Sequence, residues 1–130
     1  MIPRILGRVG LVILLLILLA GCAAKFDSNE YSRMVDIRHA LLESRCADAA
    51  DVRAMSKTIQ NDLSWLMIYS QNLPHNDNTT SMLAAMKTTA DELSIRTSRD
   101  DFSVVYCRLK IRTLQDQLDI ILKTTANRPR

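Results

Sequence analysis

Three cysteines, two histidines and a scatter of serines and carboxylates are the residues of this 130-residue chain with chemical potential. Nucleophilic catalysis needs Ser or Cys beside a base, and a third group to orient that base. The chain has no Gly-x-Ser-x-Gly elbow, and neither His39 nor His75 stands in a context that suggests such a base. A metal centre needs ligands at a shared spacing, and neither histidine has a second ligand so placed. His39 reads as a helix-surface or interhelical residue. His75 and Asp77 fall in a polar, turn-rich segment and read as parts of a plain connection. Glycan hydrolysis needs two carboxylates turned toward each other. Asp91, Glu92, Asp100 and Asp101 read instead as a solvated helical face. The absence of a CxxC pair makes a redox role for the cysteines unfavoured. Enzyme is therefore the minority expectation, with no metal and no dissociable cofactor.

Cys22 stands in a different context. Met1 to Arg8 carries two arginines and no acid, and Val9 to Leu19 is apolar throughout except for Gly10. Eleven residues at ~1.5 Å each reach roughly 17 Å, short of a ~30 Å hydrocarbon core. A basic start, a short apolar middle and small residues after it are the pattern of a secretory signal peptide. The segment closes on Leu19-Ala20-Gly21-Cys22, which resembles the lipobox of bacterial lipoproteins. The resemblance covers the first 22 residues and rests on four consecutive positions set correctly behind the apolar run. It implies cleavage before Cys22, a diacylglycerol on its thiol and acylation of the new amino group. Residues 1–21 are then the signal and 22–27 a lipidated linker. In that family Asp after the cysteine favours inner-membrane retention. Ala23 stands there, so the resemblance implies the periplasmic face of the outer membrane. More than one acyl chain would hold firmly, since single-chain binding is marginal.

An exported domain meets an oxidising compartment, where two remaining thiols usually pair. Cys46 and Cys107 are thus expected to form a disulfide, closing a loop worth about 4 kcal/mol on the chain-entropy model. The formal charge of +3 drops to about +1 once Arg4 and Arg8 leave with the signal. That is a poor basis for nucleic-acid binding, which needs a basic stripe.

The elements that would carry these groups are helical. Gly and Pro number three each and aromatics make up 5% of the chain, a composition suited to helices rather than tight-turned sheets. The main breaker is Asn72-Leu73-Pro74-His75-Asn76-Asp77-Asn78, with Asn78 or Thr79 as a helix cap. Asn78-Thr79-Thr80 also matches a glycosylation acceptor, a signal seldom read on a bacterial export route. Asp27-x-x-Glu30 reads as a capping box opening the first arm. Apolar positions follow at Tyr31, Val35, Leu42, Val52, Met55, Ile59, Leu63, Leu66 and Leu73. In the second arm Ala90, Leu93, Thr97, Asp100, Val104, Cys107, Ile111, Leu114, Leu118 and Ile121 recur three and four apart, close to a heptad seam. The midpoint between Cys46 and Cys107 falls at residues 76 and 77, the centre of the breaker. This predicts antiparallel arms, with Val35 near Leu118, Leu42 near Ile111, Ala49 near Val104, Leu63 near Ala90 and Arg53 near Asp100. Asp48 and Ser98-x-x-Asp101 offer further caps, so the arms form two long helices or four shorter ones. Phe102, Val105, Tyr106 and Leu109 widen the apolar face and call for further helices against it. The expected fold is all-α, an antiparallel helical hairpin or a small up-down bundle over residues 28–125, with one disulfide. Ala126 to Arg130 reads as a frayed basic tail.

Trp65-Leu66-Met67-Ile68-Tyr69 is the most suggestive local run. One reading is a central helix buried from several sides. The other is a partner-binding patch centred on Trp65, Ile68 and Tyr69, because Trp and Tyr anchor interfaces and Met adapts to varied surfaces. The leading expectation is a non-enzymatic envelope lipoprotein that binds a protein partner. Its layout of lipobox, helical domain and one bridge resembles the pilotin lipoproteins that escort secretin subunits, without a motif that carries their groove onto particular residues. The alternatives are a phage- or plasmid-encoded exclusion or lysis lipoprotein, and a self-associating coiled-coil spacer.

Overall fold

The computed structural model describes residues 23–99 and 101–130. Four helices account for most of them: α1 Ser28–Glu43, α2 Ala49–Gln71, α3 Asp77–Thr97 and α4 Val104–Ala126. The chain is all-helical and carries the Cys46–Cys107 disulfide, with the two Cα atoms 5.9 Å apart. Residues 1–21, expected to be the signal, Cys22 and Asp100 lie outside the described residues, and with Asp100 the expected pairing to Arg53.

Each arm read from the sequence is broken once, by residues 44–48 and by residues 98–103. Local chemistry explains both breaks. Ser44 and Asp48 are extended, and the Asp48 carboxylate accepts from the Asp51 amide at 2.9 Å to start α2. The start of α4 was expected at Ser98-x-x-Asp101. Instead Ser98 closes α3, and Ser103 is the cap that accepts from the Tyr106 amide at 3.2 Å. At the third start, neither Asn78 nor Thr79 is the cap. Asn76 occupies that position and sends its side chain elsewhere.

The helices pack in a ring, α1 against α2 and α4, and α3 against α2 and α4. Cross-helix bonds show that α1 and α4 run antiparallel. Arg38 of α1 binds Asp119 of α4, while Leu41 receives Gln115 and Met34 meets Thr125. Gln60 of α2 donates to Asp91 of α3, and Lys110 of α4 pairs with Glu92 of α3.

The stripe of the second arm becomes core: Ala90, Leu93, Thr97, Cys107, Ile111, Leu114, Leu118 and Ile121 are all buried. In α1 the buried row is Met34, Ile37 and Leu41, and Val35 and Leu42 are exposed. The expected contacts of Val35 and Leu42 with α4 therefore belong to the neighbouring row. Both rows are apolar at helical spacing, and α1 must turn one inward face to α2 and α4 together. Phe102 and Tyr106 pack on the core as the wide face required, whereas Val105 and Leu109 point to solvent.

The end of the bundle that holds the 72–76 connection is locked by a polar network. Glu30 is fully buried; its carboxylate accepts from Ser70 Oγ at 2.6 Å, Asn76 Nδ2 at 2.7 Å and Arg128 Nη1 at 2.9 Å. Arg128 Nη2 donates to Asn76 Oδ1 at 2.7 Å and to Thr79 Oγ1. Asp27 does cap α1, accepting from the Glu30 amide at 2.8 Å, but the Glu30 side chain turns inward and completes no capping box. Nor is the C-terminal tail frayed. The Phe26 amide donates to the Pro129 carbonyl at 2.9 Å, and the Arg130 guanidinium lies 5.5 Å from the Phe26 ring centroid.

A buried ion pair is expensive to break from one side, because the surviving charge stays in a site that excludes water. Arg128→Ala is expected to lower the unfolding free energy by ~3–5 kcal/mol, read from urea denaturation. An unchanged midpoint would show that the tail holds nothing. At the opposite end, the disulfide spans 61 residues of sequence. Its reduction is expected to remove roughly 2–4 kcal/mol, and unaltered stability after reduction would contradict its place in the fold.

The Arg38–Asp119 bond has a pH signature. The Arg38 hydrogen bond, opposed by a little burial and aided by the charges of Arg38 and Lys123, holds the Asp119 carboxyl below its usual range. A depressed carboxylate stabilises the fold above its unfolded pKa, and the effect fades as pH falls through the folded one. Asp119→Asn is thus expected to lower stability near neutrality and to flatten its decline in acid. Parallel acid profiles would refute the coupling.

Candidate functional site: an apolar groove beside the N-terminal segment

The inward row of α2 is Val52, Ser56, Ile59, Leu63, Leu66 and Ser70. At 100° per residue this row turns Trp65 to the flank of the helix and Ile68 almost directly outward. Trp65 is 43% exposed and Ile68 64%. The reading of this run as a helix buried from several sides is thus corrected. Leu66 enters the core, Met67 packs at its edge, and Trp65 and Ile68 stay outside.

The sequence-derived trio comes together. Trp65, Ile68 and Tyr69 line one groove, completed by Asn72 and Leu73, with a cavity volume of about 280 Å³. The aromatic wall is held in place. The Trp65 and Tyr69 rings stack with centroids 5.1 Å apart and planes 10° from parallel. The Arg33 guanidinium sits 4.8 Å from the Trp65 ring centroid, a cation–π contact. Tyr69 Oη donates to the two oxygens of Asp27 at 3.1 and 3.2 Å, so the residue that caps α1 also orients the ring. Such fixing lowers the entropy lost when a surface side chain is immobilised by a ligand.

Leu73 belongs to two concavities. It closes the aromatic groove, and with Ala23, Lys25, Phe26, Asp27 and Pro74 it lines the next. The described chain therefore begins, at Ala23, in the concavity that shares Leu73 with the groove. Sequence reasoning did not assign Arg33, Asn72 or Leu73 to this site. The four-residue step from Trp65 to Tyr69 signals the stacked pair, but the cation above it comes from another helix.

The remaining chemical candidates stay apart. His39 is exposed and lies 3.7 Å from Glu43 on the same helix. His75 is exposed in the connection with φ 56°, a left-handed conformation that His adopts more readily than most residues. Asp77 lies in the first turn of α3, where a negative charge suits the helix dipole. Asp91 is bound by Lys87 and Gln60, Glu92 pairs with Lys110, and Asp101 lies 3.8 Å from Arg96. Among the described residues no three His, Cys, Asp or Glu side chains gather into a group that could hold a metal ion. No helix among them is long and apolar enough to cross a membrane. No protein-family model matches the chain, and neither a curated protein nor a solved structure matches it.

An outward Ile contributes little to folding. Ile68→Ser is expected to change stability by no more than about 0.5 kcal/mol, while Leu66→Ala costs about 2–5 kcal/mol. Chemical denaturation of the two variants checks this, and a comparable cost at both positions would place Ile68 in the core.

Proposed function

We propose that the chain is a lipid-anchored envelope lipoprotein, attached through Cys22 to the periplasmic face of the outer membrane, and that it works as a non-enzymatic adaptor for a protein partner. The groove of Trp65, Ile68 and Tyr69 is the proposed contact surface. The observation that carries this reading is a stacked, cation-braced aromatic pair whose Trp65 is left exposed beside an outward Ile. Fixed aromatic and aliphatic side chains rimmed by polar groups are what protein interfaces use as anchors. The position of Ala23 in the concavity that shares Leu73 with the groove adds to it. A lipid on the preceding residue would hold the groove near the bilayer, where a membrane-bound partner is met.

The spacer reading loses its main support, because the heptad-like seam of the second arm is spent inside one chain. Self-association would need an outer face instead.

The reading is tested by placing photo-crosslinkers at positions 65 and 68 of the full-length protein and recovering it from membranes. A discrete envelope protein captured at both positions is the expected result. Crosslinks only to lipid, only to a second copy, or to nothing would overturn the adaptor reading.

A further inference from the structure

A second groove lies at the other end of the bundle, between the 44–47 connection and the flank of α4. It encloses about 510 Å³ and is lined by Ser44, Arg45, Cys46, Arg108, Arg112 and Asp116, among others. We propose that this groove is an oxyanion-binding site that takes a phosphate or carboxylate group through the guanidiniums of Arg45, Arg108 and Arg112. The inference stands independently of the adaptor reading.

Two observations carry it. The first is convergence. Arg45 immediately precedes Cys46 and Arg108 immediately follows Cys107, so the disulfide ties two cations from distant parts of the sequence across one cleft. Arg112 lies one helical turn beyond Arg108 on the same flank. The covalent tie fixes the separation of the two backbone segments that carry Arg45 and Arg108, with the cysteine Cα atoms 5.9 Å apart.

The second is the absence of internal partners. Among the described residues the ion pairs engage Arg33, Arg38, Arg96, Arg128, Lys87 and Lys110, but none of the three arginines of this groove. Asp116, the one carboxylate on the wall, also forms no ion pair there, and it leaves the cluster two charges positive.

Guanidinium groups bind oxyanions through paired, parallel N–H donors, a geometry that lysine does not offer. The test uses the intact, detergent-solubilised full-length protein at low ionic strength, titrated calorimetrically with sodium pyrophosphate and, separately, with a tri-glutamate peptide. Saturable binding of at least one probe at one site per chain is expected. Pyrophosphate alone would point to a phosphate-bearing ligand and the peptide alone to a carboxylate-bearing one. Arg108→Gln with Arg112→Gln is expected to weaken that binding roughly tenfold or more. Replacement of both by Lys, which keeps the charge and loses the fork, should fall between. These residues are exposed and form no ion pair among the described residues, so the thermal unfolding of the variants should match the parent. Failure of both probes to bind, or equal binding by parent and Gln variant, overturns the site.

Discussion

The buried carboxylate of Glu30 is the constraint on which one whole end of the molecule depends. A charge with no exposure to water must find its partners in the protein, and three separate pieces of chain supply them: Ser70 at the end of α2, Asn76 in the connection and Arg128 beyond α4. Satisfying that charge fixes how the connection turns and why the tail returns over the bundle. It also sets the first turn of α1 beside α2. From there Asp27 reaches Tyr69 and Arg33 reaches Trp65, so the groove inherits its shape from a buried ion pair it does not touch.

The opposite end is held by covalent chemistry instead. The Cys46–Cys107 bridge joins the first of the two connections to the first turn of α4, where both arms break. One end is thus tied by a hydrogen-bonded charge and the other by sulfur, with a Leu-, Ile- and Met-rich core between them. Each tie organises a different surface. The ion pair shapes an aromatic groove beside the N-terminal segment, and the bridge sets guanidiniums across a polar one.

Much of this was legible in the sequence. The second arm showed its buried row plainly, because Leu93, Cys107, Ile111, Leu114, Leu118 and Ile121 fall on an unbroken three-and-four spacing, although Ile95, Val105, Leu109 and Ile120 stand on other faces. The pairing of Cys46 with Cys107 and the midpoint in the breaker followed from simple counting. Asp48 was legible as a cap because the apolar stripe thins around it. The first helix misled, since Val35 and Leu42 have the same period as Met34, Ile37 and Leu41, and only packing against two neighbours chooses between the rows. Glu30 resembled a capping-box acid, and nothing local shows that its partner lies 98 residues away. Arg128 sits among Asn, Pro and Arg residues typical of a loose end, and its role comes wholly from tertiary structure. Trp65 and Ile68 were read two ways because a short apolar run has the same composition in a core as on an interface.

The proposed function joins the aromatic groove to a membrane anchor, and that union rests on Cys22. The most direct measurement is the intact mass and N-terminus of the protein extracted from bacterial membranes. The account predicts a chain that begins at Cys22 and carries a diacylglycerol and an amide-linked acyl group. A chain recovered without lipid, or one that retains residues 1–21, would contradict it.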